Sequence, residues 1–328
     1  MSLPAFKLFR PQSIQDAVFH LVKHGADVQI LAGGTDLLPS MKQRLFSPPY
    51  LMDIRGIEEI IGIHVRPGIG VEIGARTPLS AIEDSEFIRR NYRVLHEAAM
   101  TVASPILRNM GTLGGNICLD TRCVWYNQSL QWRRSCGFCI KKDGDLCHVA
   151  PGGKSCWAAF SGDTPPALLC LDAELEIAGP KGFRRVALKD FYTNIGDARM
   201  KLEPNEMITR IFLPEASSGW RGSYMKLRIR GSIDYPLAGV AVAFKKNGGP
   251  IEEARVAITA VNPAPMLVPA AEQAMVGKEH VDEYLAAMIG ELAAKTAKPL
   301  TTSALTPEYR REVIKVYAKR AVLAAAAV

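Results

Sequence analysis

The feature that most constrains this chain is the crowding of its cysteines. Six of the seven fall within 39 residues, in a segment from about residue 118 to 161 that is poor in apolar periodicity and rich in Cys, Gly, Arg and Lys. Crowded thiols in a reducing compartment are more typical of metal or cluster ligation than of disulfides. The segment is therefore predicted to be an insertion folded around something other than an apolar core. The crowded residues are Cys118, Cys123, Cys136, Cys139, Cys147 and Cys156.

The spacing of four of these cysteines limits the kinds of metal site that they could form. Four thiolates suit either a tetrahedral zinc ion or a [4Fe–4S] cluster. Zinc sites usually contain two close cysteine pairs, and only Cys136 and Cys139 are close here, whereas long and uneven spacing suits the wider corners of a cuboidal cluster. His148 is predicted to be a hydrogen-bond donor beside the site rather than a ligand. The C-x15-C-x7-C-x8-C pattern is formed by Cys123, Cys139, Cys147 and Cys156.

The net charge of +7 arises because 40 Lys and Arg residues outnumber 33 Asp and Glu residues. These positive residues are scattered and no nucleic-acid motif accompanies them, so we predict no nucleic-acid partner and interpret the charge as attraction for an anionic substrate or an acidic partner. No signal peptide or membrane-spanning apolar run is found, which predicts a cytoplasmic protein without a membrane partner. The basic residues among the cysteines would offset the charge of a thiolate-bound cluster; they are Arg133, Arg134, Lys141 and Lys142.

Two glycine-rich elements precede the insertion. In the first, a strand ending near Ala32 runs into Gly33 and Gly34, and Thr35 and Asp36 then open a helix. Glycines let a ligand approach the backbone, and a helix terminus with free N–H groups suits a pyrophosphate. Thr35 can donate its hydroxyl and Asp36 can cap the helix. The same pattern is also typical of a tight strand-to-helix turn.

The second element, Gly111 to Asn116, has the same chemistry, with small residues, one hydroxyl and one carboxamide. Together the two loops can cradle the phosphates and ribityl chain of a dinucleotide. A third glycine-rich stretch, Gly68 to Gly74, has the wrong spacing for a dinucleotide fingerprint and precedes a strand, so it is predicted to be a turn. The sequence also lacks a Walker A motif, which argues against a nucleotide hydrolase.

Periodicity predicts an α+β chain with a domain boundary near residues 214–220. The third helix is predicted to start with Thr77 as its cap and Pro78 at its first position. Cys170 lies in an apolar run and is predicted to be a core residue. Helices are predicted at about 13–24, 37–44, from 77, 93–102, 281–297 and 307–325. Strands are predicted at about 28–32, 50–54, 70–75, 173–177, 183–188, 206–213, 224–230, 237–245 and 251–261.

These motifs together resemble the FAD-binding medium subunits of the xanthine oxidase and carbon monoxide dehydrogenase family, over nearly the whole chain. Both glycine loops match that family's FAD loops. Asp163 matches its acidic residue ahead of an apolar strand, and a Lys-x3-Arg…Asp-Tyr-Pro pattern begins at Lys226. The FAD-binding residues that the resemblance implies are Ile30, Leu31, Ala32, Gly33, Gly34, Thr35, Asp36, Leu37, Val102, Thr112, Gly114, Gly115, Asn116, Asp163, Ile208 and Lys226.

The resemblance also implies the architecture. A two-lobed FAD-binding domain of the PCMH type would have lobes at 1–60 and 61–216, with the insertion at about 118–161. A smaller α+β domain of the CO dehydrogenase flavoprotein C-terminal type, with a three-stranded sheet plus helices, would follow at 217–328. Partners implied are a molybdenum-cofactor large subunit and a [2Fe–2S] small subunit, in a dimer of heterotrimers. No catalytic residue is assigned here, because the substrate pocket would lie on another chain.

The insertion, about 40 residues longer than most members have, is similar to that of the flavin subunits of 4-hydroxybenzoyl-CoA reductases, which carries a [4Fe–4S] cluster. This similarity implies Cys123, Cys139, Cys147 and Cys156 as ligands, with Cys118 and Cys136 as bystanders. It further implies electron transfer from a ferredoxin-type donor for reductive removal of a phenolic hydroxyl. Three alternatives remain open: a related molybdenum complex with another aromatic or heterocyclic substrate, a zinc-stabilised binding module, and a stand-alone FAD oxidase.

Overall fold

The computed structural model describes residues 2–327 and contains three β-sheets with helices packed against them. The first sheet is parallel and three-stranded, in the order Lys7–Phe9, Tyr50–Asp53, Val28–Leu31. Helix Ile14–His24 covers this sheet. It begins after Ser13, which accepts a hydrogen bond from the Asp16 amide, and it ends at Gly25, whose φ is +52°. Its side chains Ile14, Ala17 and Leu21 are buried in the core of this lobe. Helix Leu37–Lys42 follows the first glycine-rich element.

The second sheet is antiparallel and five-stranded. Its neighbouring strands are Ile63–Arg66, Gly70–Gly74, Met207–Pro214, Glu174–Gly179 and Gly182–Ala187. Its helices form one apolar core with the sheet, in which Leu168, Leu175 and Ile211 are fully buried. These helices are Leu79–Glu83, Glu86–Asn91, Arg93–Met100, Pro105–Arg108, Leu113–Ile117, Thr164–Cys170 and Leu188–Phe191. The cysteine segment contributes only one helix, Leu130–Ser135.

Two local predictions in this lobe are wrong. Thr77 does not cap a helix, because its hydroxyl accepts a hydrogen bond from the Gly62 amide and donates one to the Gly62 carbonyl, and the helix begins only at Leu79. The apolar run after Asp163 is a helix, Thr164–Cys170, rather than a strand. Its two prolines lie in the first turn, where a missing N–H costs nothing, and its buried surroundings hide the amphipathic pattern that normally identifies a helix.

The third sheet is antiparallel and has four strands rather than the predicted three. Its strands are Arg221–Leu227, Ala238–Lys245, Glu253–Thr259 and the two-residue edge strand Met266–Leu267, and its helices are Pro269–Met275, Glu283–Thr296 and Pro307–Ala326. Both faces are buried. Along the central strand, Val240 and Val242 pack on the C-terminal helices, whereas Ala241 and Ala243 pack on helices of the preceding lobe. No helix within residues 2–327 has the length and apolar character needed to cross a membrane.

Arg310 ties the last helix to the third sheet. It is fully buried, and its guanidinium donates to the carbonyls of Leu237 (2.8 Å), Leu300 (2.9 Å) and Ala260. Burial lowers the pKa of this side chain to about 10. The sequence shows this residue only as one basic position among several in a helix.

We expect Arg310→Met to lower the free energy of unfolding by about 3 kcal/mol, because three carbonyls that are buried or half-buried lose their donor at roughly 1 kcal/mol each. Urea denaturation of the full chain measures the loss. Arg311→Met is the matched control, since that side chain is exposed and makes a single 3.4 Å contact with the Ala297 carbonyl. Equal losses in the two variants would contradict the assigned role.

Candidate functional site

The two glycine loops line a single cavity of about 520 Å³ between the first two lobes. Strand Val28–Leu31 and its loop form one wall, and the loop that ends at Asn116 forms another. Residues 199–208 and the loop at 233–235 complete the lining. A cavity of this size, partly apolar with a few convergent polar groups, is typical of a cofactor site.

Gly33 brings the two loops into direct contact. A Cβ atom at Gly33 would lie 1.9 Å from the Met110 carbonyl oxygen and 3.0 Å from Gly111 Cα. Gly34 has φ +71°, a backbone conformation that favours glycine. The glycine pair is therefore required both for the turn and for the close approach of the second loop.

The second loop is fixed by its own polar side chains. Thr112 caps helix Leu113–Ile117 by accepting from the Gly115 amide (3.1 Å), and Asn116 Oδ1 accepts from the amide and hydroxyl of Thr164 (3.0 and 2.7 Å). Outside the backbone of its own helix, a Cβ atom built at Gly115 would meet only the Thr112 hydroxyl, at 2.9 Å. The cavity-facing backbone is thus left bare, as close binding of a phosphate or ribityl chain requires.

Asp36 does not cap the helix that follows it, contrary to the prediction. Its Oδ1 accepts a hydrogen bond from the Tyr235 hydroxyl (2.8 Å) and pairs with Arg122. The Arg122 guanidinium also lies 4.0 Å from the centre of the Tyr235 ring. Asp36 therefore joins the first loop to the cysteine segment and to the loop that contains Tyr235, a set of contacts that no local pattern encodes.

Asp163 is a buried carboxylate in the cavity wall. Its Oδ1 accepts from the Tyr224 hydroxyl (2.9 Å) and its Oδ2 from Lys226 Nζ (3.0 Å), which also donates to the Thr101 carbonyl (2.8 Å). Burial raises the pKa of Asp163, and the neighbouring Lys226 charge and hydrogen bonds oppose that effect. The side chains of Asp163 and Lys226 are 4% and 2% exposed, so this pair is shielded from solvent.

We expect Lys226→Met to cost about 3 to 5 kcal/mol of stability, because it leaves the Asp163 carboxylate buried without its counter-charge. Tyr224→Phe removes one hydrogen bond from the same carboxylate and should cost about 1.5 kcal/mol. Urea unfolding at one fixed FAD concentration compares the two variants with the parent chain. A loss no larger for Lys226→Met than for Tyr224→Phe would show that charge pairing is not what stabilises Asp163.

The predicted FAD-binding residues line this cavity with two exceptions. Leu31 is not part of the lining, and Lys226 lies behind Asp163 rather than in the wall. Cavity residues absent from the prediction include Asp120, Arg199 and Glu203. Arg199 and Glu203 belong to a connection without any motif before strand Met207–Pro214, so nothing in the sequence singled them out. Asp234 and Tyr235, which also line the cavity, could have been predicted, because they belong to the Asp-Tyr-Pro pattern.

A second, smaller cavity lies inside the cysteine segment. Four cysteines line it, and each is at most 9% exposed; they are Cys123, Cys139, Cys147 and Cys156. The lining also includes Trp125, Tyr126, Lys141 and His148. Burial raises the pKa of Cys123 and of Cys156 to about 11, so a thiolate at either position requires a bound cation to stabilise it.

The remaining cysteines lie elsewhere. Cys118 belongs to the lining of the large cavity, Cys136 is outside both cavities, and Cys170 is in the core, where its thiol donates to the Ala241 carbonyl. The core prediction for Cys170 is therefore confirmed. His148 stacks on Trp125 and donates from Nε2 to the Phe138 carbonyl (2.6 Å).

No group of three or more His, Cys, Asp or Glu side chains within residues 2–327 is arranged to hold a single metal ion. Four sulfurs around one zinc ion lie only about 3.8 Å apart, since each Zn–S bond is ~2.3 Å. A cluster of several iron atoms separates its thiolates further. The four thiols line one cavity, and their arrangement is not that of a single-ion site.

A parallel-sheet lobe, an antiparallel lobe and a glycine-lined cavity between them define a flavin-binding class of protein. Residues 4–216 match the family described as the FAD binding domain in molybdopterin dehydrogenase, and residues 223–325 match the CO dehydrogenase flavoprotein C-terminal domain. The chain belongs to this family of FAD-binding oxidoreductase subunits, which confirms the flavoprotein prediction and the fold class.

Individual relatives align over almost the whole chain. The chain is 33% identical to the carbon monoxide dehydrogenase medium chain of Afipia carboxidovorans, over 97% of this chain and 96% of that one. It is 27% identical to the nicotine 6-hydroxylase medium subunit of Paenarthrobacter nicotinovorans, over 100% and 99%. Among solved structures, reconstituted CO dehydrogenase from Oligotropha carboxidovorans superposes with a TM-score of 0.81 at 31% identity, covering 100% of this chain and 99% of that chain.

Proposed function

We propose that this chain is an electron-transfer subunit that carries both FAD and a [4Fe–4S] cluster. The observation that carries the proposal is the convergence of four buried cysteines on one cavity, next to a glycine-lined cavity of cofactor size. The long and uneven spacing of these cysteines in the sequence favours a cluster over zinc.

FAD, when bound, would supply two-electron and one-electron redox chemistry, and the chain would supply position and polarity. Gly33, Gly34 and Gly115 line the cavity that would receive the cofactor, and Gly33 lets the two loops pack together. Asp163 offers a fixed acceptor in the wall, held by Lys226. Other members of the predicted set, such as Thr35, Val102 and Ile208, line the same space.

Cys123, Cys139, Cys147 and Cys156 would hold the cluster, which when bound would supply one-electron transfer. Two of the basic side chains predicted to offset its charge are buried, Arg133 and Lys141, and only Lys141 belongs to the lining of the cavity. Such an enclosure limits water access, which is how a protein controls the potential of an iron–sulfur centre.

We further propose that the chain works with a molybdenum-cofactor large subunit and a [2Fe–2S] small subunit, as a dimer of heterotrimers in the cytoplasm. The substrate reaction, placed on the large subunit, is the reductive dehydroxylation of 4-hydroxybenzoyl-CoA with electrons from a ferredoxin-type donor. The cysteine insertion supports this choice over a complex acting on another aromatic or heterocyclic substrate. Both choices assign the same role to this chain.

The test is anaerobic purification of the chain, followed by a visible spectrum and quantification of flavin, iron, acid-labile sulfide and zinc. We expect flavin bands near ~370 and ~450 nm over a broad absorbance, with about four iron and four sulfide per chain. Zinc in place of iron would overturn the cluster, and absence of flavin would overturn the cofactor role of the glycine loops. Oxygen consumption by the isolated chain with simple alcohols or amines would instead support a stand-alone oxidase.

A further inference from the structure

An ion pair lies in the wall between the two cavities, with one partner in the lining of each. Asp120 lines the large cavity and Lys141 lines the cysteine cavity. Lys141 Nζ lies 2.9 Å from Asp120 Oδ1, and the two side chains are 5% and 9% exposed. The pair is therefore shielded from solvent and in direct contact with both candidate cofactor sites.

Lys141 is held more firmly than a surface lysine. Its ammonium also donates to the Thr121 hydroxyl (2.5 Å) and the Gly196 carbonyl (2.8 Å), and it lies 4.8 Å from the centre of the Tyr126 ring. Gly196 is itself fixed against the cysteine site, because its amide donates to the Cys156 carbonyl (2.9 Å). These contacts use all three ammonium protons and fix the charge at one point.

The charges at this wall do not cancel. Asp120 pairs with Arg199 Nη1 (3.4 Å) as well as with Lys141, so two cations face one carboxylate. By contrast, the adjacent Lys142 does not line the cysteine cavity, contrary to its predicted role beside the cluster: it is 43% exposed and pairs with Asp143 at 3.6 Å, where solvent screens its charge. A shielded positive charge beside a thiolate-bound cluster stabilises its reduced and more negative form.

We propose that Lys141 sets the reduction potential of the cluster and that Asp120 moderates this effect from the flavin side. Lys141 is a positioning and tuning residue, and Asp120 links the electrostatics of the two sites. This inference rests on the proposed function, because it requires iron and sulfide at the four cysteines.

The experiment is a potentiometric titration of the full chain, purified anaerobically, with dithionite and redox dyes. Electron paramagnetic resonance follows the cluster and absorbance follows the flavin. We expect Lys141→Met to lower the equilibrium constant for one-electron reduction of the cluster about tenfold, which corresponds to ~59 mV. Asp120→Asn should raise it by a similar factor, and Lys141→Arg and the control Lys142→Met should stay within about threefold of the parent chain.

Metal and sulfide content, measured first, separates the two proposals. A parent chain with zinc and no iron overturns the proposed function and this inference with it. A parent chain with iron whose cluster potential is unchanged in Lys141→Met overturns only the inference and makes Lys141 a structural residue. If the Lys141→Met variant does not retain its cluster, the Asp120→Asn variant provides the test. A cluster potential higher than that of the parent chain supports the inference, and a potential equal to that of the parent overturns it.

Discussion

Gly33→Ala is expected to bind FAD at least tenfold more weakly than the parent chain. The added Cβ would lie 1.9 Å from the Met110 carbonyl oxygen and 2.6 Å from the Met110 carbonyl carbon, far inside the ~3.5 Å at which such atoms meet. Both atoms are backbone, so no side-chain rotation relieves the clash. The two glycine loops must therefore separate, and the cavity that they line must change shape.

Flavin absorbance per chain measures this effect after gel filtration. We expect less bound FAD per chain than in the parent, by an amount that corresponds to at least a tenfold loss of affinity. About 1.4 kcal/mol of strain in the bound state is enough to cause that loss. Gly249→Ala is the matched control, because no atom lies within 4 Å of its built Cβ. Retention of FAD at the parent level by Gly33→Ala would mean that the loops can part without cost and that their contact is unimportant for binding.

The second large effect is expected at the cysteine cavity. Replacing any one of its four cysteines by serine should reduce iron and sulfide by more than half, because a hydroxyl is a poor ligand for iron and one corner of the cluster loses its support. The four variants are Cys123→Ser, Cys139→Ser, Cys147→Ser and Cys156→Ser. Flavin content should be less affected, since the glycine loops are not altered.

Two other cysteines serve as matched controls within the same segment. Cys136 lies outside both cavities and Cys118 belongs to the lining of the large one, so serine at either position should leave the iron content at the parent level. Loss of iron in Cys136→Ser comparable to that in Cys139→Ser would reassign the ligand set. Iron retained in all four cavity variants would exclude a cluster at this position.

Much of the large cavity was predictable because its chemistry is local in sequence. The first glycine loop joins a strand to a helix and the second begins with the helix cap Thr112, and such short patterns can be recognised without knowledge of the fold. The helix Ile14–His24 was predicted for the same reason, from Ser13 at one end and Gly25 at the other. The four cysteines could also be predicted to converge, although their spacing alone left zinc open.

Other parts of the site depend on contacts between distant segments. Asp36 and Tyr235 come together only after the lobes pack, and Asp120 and Lys141 only after the cysteine segment folds, so their environments cannot be predicted from the sequence. The helix after Asp163 was missed because every side chain from Thr164 to Cys170 is buried, which removes the periodicity that distinguishes a helix from a strand. Strands of two or three residues, such as Met266–Leu267, are too short to show alternation.

The third sheet has a consequence for how this architecture can change over time. Its central strand presents Ala241 and Ala243 to one lobe and Val240 and Val242 to its own helices, so a single eight-residue strand belongs to two hydrophobic cores. Removal or exchange of the C-terminal domain at its boundary in the sequence would therefore still disrupt both hydrophobic cores. The C-terminal domain is thus not a detachable module, and changes in sequence are tolerated more readily in segments outside these two cores, such as the cysteine segment.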